Sequence, residues 1–208
     1  MAHIILVHGL GATDKSWFDI PQALRDAGHD VDPILLPDQL LATMADYVEA
    51  ITAALPASGS CVLIGHSMGG VSISQVAADH PDKVSKLIYV TALVPEDRES
   101  AGAIIGGLST SFEAIGTEFE RLGIGPDHPS RRWPRLGALV GRFRTSPGFA
   151  QIPKHYIRCA HDTIVKPTEQ AEMIAKWHFE SAPELPSGHI PQREIPDRLA
   201  PLLLDLIE

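Results

Sequence analysis

A short glycine-rich turn that carries a serine constrains the fold of this chain more than any other feature. The apolar run Cys61–Ile64 stops at Gly65, Ser67 follows two residues later, and two more glycines open a helical pattern. A serine in a G-x-S-x-G sequence between a strand and a helix is held on a tight, strained turn that exposes its hydroxyl at the end of a sheet. The turn therefore predicts a nucleophilic serine at position 67. The alternative is a glycine-rich turn that carries a serine by chance.

Between residues 4 and 94, continuous apolar runs alternate with segments of helical periodicity. The runs that predict strands are Ile4–Val7, Val31–Leu36, Cys61–Ile64 and Leu87–Val94, and the helical segments are Trp17–Ala27, Met44–Leu55 and Gly70–Asp79. After residue 153 the same pattern predicts strands at Lys154–Ala160 and Trp177–Ser181 and helices at Pro167–Lys176 and Pro196–Ile207. Such alternation is typical of a parallel sheet with helices on both faces. We therefore expect an α/β fold, a doubly wound and mostly parallel sheet of about six strands, in a single domain over residues 1–208.

Two prolines and two cysteines refine this expectation. Pro33 lies inside the second predicted strand and favours an edge position, because proline cannot donate a hydrogen bond to a neighbouring strand. Pro201 should kink the last helix or delay its start. Cys61 and Cys159 both lie in predicted strands. We expect buried free thiols there, with a disulfide as the alternative.

The alternating pattern stops after the fourth strand, and we predict an inserted cap over residues 95–153. Glycines and prolines are frequent in this segment, with weak helical patterns over Ser111–Leu122 and Leu136–Phe143. A structureless loop of this length would be unusual in a compact domain, which favours an insertion with structure of its own.

Arginines in this segment form a basic stretch in an otherwise acidic chain. They are Arg121, Arg131, Arg132, Arg135, Arg142 and Arg144, and the stretch contains a single acidic residue, Asp127. One interpretation is a solvated face or an interface with the acidic core domain. The other is a surface that attracts an anionic group of a substrate. The sequence leaves both interpretations open.

Composition excludes several classes of partner. The chain of 208 residues carries a net charge of −9, which argues against nucleic acid or an anionic membrane as partner. No apolar run approaches membrane-spanning length, and the N-terminal residues lack the basic and long apolar regions of a signal peptide, so we expect a cytoplasmic protein. The ten histidines show no spacing typical of a zinc site, and neither a metal nor a cofactor is expected. Monomer and homodimer both stay open.

A nucleophilic serine needs an adjacent base, and His189 is the candidate that the sequence favours. It lies in the loop Ser187–Pro191, after the last predicted strand and before the last helix, which places it at the carboxyl end of the sheet. His161 lies close to the same edge and is the second candidate.

The base in turn needs a carboxylate that fixes its tautomer and stabilises its charged form. Asp162 follows the strand Lys154–Ala160 almost directly and is therefore expected at the same edge. Glu96 and Asp97, just after the fourth strand, are the alternatives. An aspartate at position 162 would also be typical of a helix cap or a turn.

The oxyanion formed during acyl transfer requires N–H donors that are already in place. The backbone N–H of Met68, directly after the serine, is one candidate. The loop His8–Gly11 after the first strand offers the second, the backbone N–H of Leu10. A backbone donor does not depend on the side chain, so leucine suits this role.

Taken together, these segments resemble the α/β-hydrolase superfamily over nearly the whole chain. The resemblance rests on His8–Gly11, on Gly65–Gly70, and on Gly188–Pro191 before the last helix. The immediate start on a strand followed by His-Gly, and the run Leu87–Pro95, are similar to the plant methylesterase and hydroxynitrile lyase-like subgroup and its bacterial esterase relatives.

The resemblance implies a catalytic triad of Ser67, Asp162 and His189, with Leu10 and Met68 as the oxyanion donors. It implies a serine hydrolase that cleaves a small-molecule carboxylic ester through an acyl-enzyme, without a cofactor. The order serine, aspartate, histidine along the chain is the one expected of this superfamily.

Two departures distinguish reactions within the subgroup. Plant hydroxynitrile lyases of this type carry threonine where Gly9 stands, and lysine after the catalytic histidine, where this chain has Ile190. Without that ammonium group there is no evident partner for a cyanide leaving group, so hydrolysis is favoured over hydroxynitrile cleavage. Amide, thioester or lactone hydrolysis are further alternatives, and a non-catalytic ligand-binding receptor is a remote one.

Overall fold

The described residues form one parallel sheet of six strands. The computed structural model describes residues 1–39, 41–133 and 136–208, and for Phe112 the backbone alone. The strands are β1 (His3–Val7), β2 (Asp30–Ile34), β3 (Cys61–His66), β4 (Val84–Val90), β5 (Lys154–Cys159) and β6 (Glu184–Leu185). They lie in the order β2-β1-β3-β4-β5-β6, and each neighbouring pair is parallel. The predicted α/β fold is confirmed.

Helices cover both faces of the sheet. They are α1 (Ile20–Asp26), α2 (Met44–Thr52), α3 (Gly69–Asp79), α4 (Ala101–Gly107), α5 (Phe112–Arg121), α6 (Pro147–Gln151), α7 (Pro167–Ala175), α8 (Pro191–Glu194) and α9 (Pro196–Ile207). In β1, Ile5 and Val7 pack in the apolar cluster with α2, α3 and α7, whereas Ile4 and Leu6 pack in the cluster with α1 and α9. Burial on both faces explains why the strands are continuous apolar runs. Among the helices of the described residues, none combines the length and apolar character needed to cross a membrane.

The positions of Pro33 and the two cysteines agree with the sequence. β2 is an edge strand, and Pro33 lies opposite Leu6 of β1. Cys61 and Cys159 are free and buried. Burial raises the pKa of the Cys61 thiol to about 12, so it stays protonated and acts as a small apolar side chain.

The first helix is shorter than the pattern over Trp17–Ala27 predicts. Asp14–Trp17 forms a 3-10 turn, and α1 follows it after a break at Phe18. Phe18 has a φ of 47°, in the left-handed region that interrupts a helix. Pro21 then lies in the first turn of α1, where proline is well tolerated.

The prediction of a last strand over Trp177–Ser181 is wrong. The strand is β6, which begins later, and Ser181 makes only an isolated bridge to β5. The alternation of aromatic and polar residues has another cause, because the rings of Trp177 and Phe179 pack edge-on against aromatic side chains of the core.

α9 runs without a break from Pro196 to Ile207, so Pro201 does not delay the start of this helix. Pro201 is exposed, and so is Asp197, whose carbonyl would be the hydrogen-bond partner one turn earlier. Solvent can reach a carbonyl at the surface, which lowers the cost of a proline inside the helix.

The segment between β4 and β5 contains α4, α5, a 3-10 turn (Leu136–Leu139) and α6. α5 matches the helical pattern over Ser111–Leu122, whereas the pattern over Leu136–Phe143 yields only the 3-10 turn. α4 was not predicted, because its three glycines are poor helix formers. A Cβ atom on Gly102 would lie 2.9 Å from the Leu139 carbonyl oxygen, so this glycine allows α4 to pack closely on the turn.

Candidate active site

Ser67 lies in the tight turn between β3 and α3. Its φ is 53°, a left-handed conformation that is strained for a serine. Gly69 has no side chain, and this lets the turn pack closely on β1, because a Cβ atom on Gly69 would lie 2.5 Å from the Val7 carbonyl oxygen and 2.8 Å from that of His8. The start of α3 therefore packs directly on the carboxyl end of β1.

The structure brings Ser67, His189 and Asp162 into one hydrogen-bonded chain. The distance from His189 Nε2 to Ser67 Oγ is 3.0 Å, and the distance from His189 Nδ1 to Asp162 Oδ2 is 2.8 Å. The His189 and Asp162 side chains are 6% and 0% exposed. A histidine held in this way by a carboxylate can accept a proton from the serine hydroxyl.

Four donors hold the Asp162 carboxylate. Besides His189, Thr91 Oγ1 donates to Oδ2, and the backbone N–H groups of Ile164 and Val165 donate to Oδ1 at 2.7 and 3.0 Å. Burial alone would raise the pKa of Asp162, but the electrostatic interaction with His189 and these hydrogen bonds outweigh burial and lower the pKa below its ordinary value. The carboxylate is therefore ionised and oriented towards the imidazole.

Thr91 is a member of the site that the sequence reasoning missed. It is fully buried, follows β4 directly, and has a φ of 38°. The only signal in the sequence is a polar residue inside the apolar run Leu87–Val94. Its contact with Asp162 arises because β4 and β5 pair side by side, so their following loops meet at one edge.

Leu10 and Met68 line the same cavity as Ser67. Among the described residues, neither backbone N–H donates a hydrogen bond. Gly9 permits this close approach, because a Cβ atom there would lie 2.8 Å from Ser67 Cβ and 3.3 Å from Ser67 Oγ. N–H groups without a partner that line the same cavity as Ser67 are suited to bind an oxyanion.

The alternative candidates for the base and the acid do not take part in this hydrogen-bonded chain. His161 is exposed, and its backbone N–H donates to the Ser187 carbonyl. Glu96 and Asp97 are exposed too, and Asp97 accepts a hydrogen bond from the backbone of Thr145. None of these three side chains contacts His189 in the described part of the structure.

Two buried histidines support the loops of the site. His66 Nε2 donates to the carbonyl oxygen of His189 at 2.7 Å and so ties the serine turn to the histidine loop. His8 Nε2 accepts from the Leu36 backbone at 3.3 Å, and its Nδ1 donates to the Gly9 carbonyl at 2.9 Å. Burial lowers the pKa of both imidazoles from 6.5 to about 3.

These two histidines should make folding sensitive to acid. The unfolded chain protonates each histidine as pH falls below about 6.5, whereas the folded chain does so only near pH 3. The free energy of unfolding should therefore fall as pH falls through this window. The slope of the unfolding free energy against pH gives the number of protons that the chain takes up on unfolding. In urea unfolding, we expect His66→Gln to reduce this number by up to about one. An unchanged slope between wild type and variant would contradict the assignment.

The basic stretch is largely engaged in internal contacts. Arg121 and Arg131 pair with glutamates of α5, and Arg121 also reaches Glu194 of α8 at 3.2 Å. Arg132 and Arg142 donate to backbone carbonyls of neighbouring loops. Arg135 lies outside the described residues. These contacts favour the interface interpretation, and the attraction of an anionic substrate stays a prediction.

Glu194 connects α5 to the histidine loop. Its carboxylate accepts from the Gly188 backbone at 3.2 Å, next to His189, while it pairs with Arg121 of α5. Among the described residues, no cluster of histidine, cysteine and carboxylate side chains is arranged to hold a metal ion.

The sequence profile of the Alpha/beta hydrolase family matches residues 4–202, so this chain belongs to that family. Methylesterase 3 of Arabidopsis thaliana is 23% identical over 98% of this chain and 95% of its own length. Methylesterase 18 of the same plant is 31% identical over 84% of this chain and 85% of its own length.

A solved structure agrees with these sequence relatives. The pyrethroid hydrolase from Sphingobium faniae JZ-2 superposes with a TM-score of 0.83 at 22% identity, covering 98% of this chain and 96% of that one. At this identity the likeness shows the fold. The family match and the sequence relatives confirm the resemblance to plant methylesterases and bacterial relatives.

Proposed function

We propose that this protein is a serine hydrolase that cleaves a carboxylic ester through an acyl-enzyme on Ser67. The observation that carries the proposal is the buried hydrogen-bonded chain from Ser67 through His189 to Asp162. The methylesterases among its relatives are named for ester hydrolysis, which supports the same class of reaction here.

In the first step, His189 Nε2 takes the proton of Ser67 Oγ as this oxygen attacks the ester carbonyl carbon. The N–H groups of Leu10 and Met68 stabilise the negative charge on the carbonyl oxygen. His189 then gives the proton to the leaving alcohol as the ester C–O bond breaks. In the second step, His189 activates a water molecule that releases the acid and restores Ser67.

Asp162 holds His189 in the tautomer with its proton on Nδ1, so that Nε2 is free to accept. The insertion over residues 95–153 acts as the cap of the site and shapes the substrate pocket. The substrate is a small-molecule ester, and the reaction needs no cofactor.

Two positions favour hydrolysis over hydroxynitrile cleavage. A Cβ atom at Gly9 would crowd Ser67, so the serine turn leaves no room for a threonine here without movement. Ile190 is 1% exposed and packs with Ala12 and Phe119. The residue after the histidine is thus an apolar anchor, and it offers no positive charge to a cyanide leaving group.

Labelling with a fluorophosphonate tests the proposal, because this reagent phosphonylates only an activated serine. We expect wild type to be labelled and to hydrolyse p-nitrophenyl acetate, and Ser67→Ala to do neither. Ser187→Ala is the matched control, since Ser187 lies in the histidine loop and bonds the backbone rather than the imidazole.

If folded wild type is neither labelled nor active, the proposed hydrolase function is excluded. The alternative of a non-catalytic ligand-binding receptor would then stand. Amide, thioester or lactone substrates would use the same serine. A panel of these compounds, compared with the ester through kcat/KM, ranks them.

A further inference from the structure

A small cavity lies directly beside Ser67. Its volume is about 20 Å³. Besides Ser67 and the proposed oxyanion residues, its lining comprises Leu93, Ile105, Leu108, Thr110, Ile115, Ile164 and Val165. A water-sized sphere takes about 10–15 Å³, so this cavity accepts about one or two non-hydrogen atoms.

The chemistry decides which part of an ester enters this cavity. The leaving alcohol must lie beside His189, because His189 Nε2 gives it a proton. The cavity is lined by Ser67 and by Leu10 and Met68, the proposed oxyanion donors. These donors bind the carbonyl oxygen, which belongs to the acyl group, and this places the cavity on the side of the acyl group.

A second pocket of about 350 Å³ adjoins this cavity and opens to solvent. It shares Leu10 and Ile115 with the inner cavity and is walled by Phe119 and Trp133. Phe119 belongs to the same apolar cluster as Ile190, the residue after His189, and this cluster relates the pocket to the histidine loop. Glu120, Arg131 and Arg132 also line this pocket, but its size and its aromatic walls suit a bulky apolar alcohol.

We propose that the preferred substrates are esters of a short acyl group with a bulky apolar alcohol, and that Thr110 selects an acyl group that carries a hydrogen-bonding atom. This inference rests on the proposed function. The inner cavity limits the acyl group to about one or two atoms beyond the carbonyl carbon.

The hydroxyl group of Thr110 is the polar group that can select an acyl group in the inner cavity. Its Oγ1 atom is buried and has no hydrogen-bond partner among the described residues. The other side chains that line the cavity are apolar, apart from Ser67 itself. A buried hydroxyl without a partner is costly, and a polar atom on the acyl group would satisfy it.

Two isomeric esters test the assignment of the pockets. 2-Phenylethyl acetate and methyl 3-phenylpropanoate contain the same atoms but place the bulky group on the alcohol and on the acyl side, respectively. We expect kcat/KM to be at least about tenfold higher for 2-phenylethyl acetate, because an oversized group in a small apolar cavity costs that much or more. Ile105→Ala should enlarge the inner cavity and reduce this preference.

The results separate this inference from the proposed function. A preference for methyl 3-phenylpropanoate would overturn the pocket assignment while leaving the hydrolase intact. The same holds if neither isomer is cleaved by an enzyme that still cleaves p-nitrophenyl acetate through Ser67. If Ser67 is not labelled and no ester is cleaved, the proposed function fails.

The role of Thr110 is tested with benzyl glycolate and benzyl propionate, which differ by a hydroxyl in place of a methyl group. We expect Thr110→Val to lower the ratio of kcat/KM for glycolate over propionate about tenfold, the effect of one hydrogen bond. Thr117→Val is the matched control, since the Thr117 hydroxyl is exposed and bonds the Glu113 carbonyl. An unchanged ratio in Thr110→Val, or an equal fall in Thr117→Val, would overturn the role of Thr110.

Discussion

Replacing His189 with alanine should lower kcat for ester hydrolysis about 10⁶-fold, the loss seen when a serine triad loses its base. Without the imidazole, the proton of Ser67 Oγ has no acceptor at hydrogen-bonding distance. Substrate binding should change little, so the loss should appear in kcat rather than in KM. Steady-state kinetics with p-nitrophenyl acetate measures both.

The fold should survive this change. The contact from His66 goes to the backbone carbonyl of His189 and stays in place in the variant, so the melting temperature tests whether the loop is intact. His161→Ala is the matched control, because the side chain of this nearby histidine is exposed and, among the described residues, makes no hydrogen bond to Ser67 or Asp162. Loss of activity in His161→Ala and retention in His189→Ala would show that the base has been misassigned.

The site could be anticipated because a parallel sheet collects the carboxyl ends of its strands at one edge. Ser67 follows β3 and Asp162 follows β5, and each position was readable from a local apolar run. His189 lies in the loop that precedes the last helices. Chain order and strand ends therefore sufficed to select three residues that the structure brings together.

Features that depend on packing between distant segments were not readable. Thr91 reaches Asp162 through the pairing of β4 with β5, and a polar residue inside an apolar run does not by itself identify that partner. The link from Arg121 to Glu194 joins residues far apart in the chain. The pattern over Trp177–Ser181 predicts the last strand in the wrong place, because alternating aromatic residues pack in a core as readily as on a strand. The inner cavity likewise depends on how α4 and α5 pack near Ser67.

Replacing Asp162 with asparagine should lower kcat about 10⁴-fold, even though the side chain keeps its shape. The reason lies in the four donors around the carboxylate. The backbone N–H groups of Ile164 and Val165 both point at Oδ1, so the amide oxygen of asparagine should occupy that position. The amide NH₂ group then faces His189 Nδ1.

An NH₂ group at this place can only donate, so Nδ1 would have to accept and the proton of the imidazole would move to Nε2. That tautomer donates to Ser67 Oγ and cannot take its proton. The fold should hold, because the NH₂ group can still bond Thr91, whose hydroxyl reverses its role to acceptor. Glu96→Gln is the matched control for an acid that follows the neighbouring strand, and it should retain wild-type kcat. A loss below about tenfold in Asp162→Asn would mean that orientation by this carboxylate contributes little and that Ser67 is activated by His189 alone.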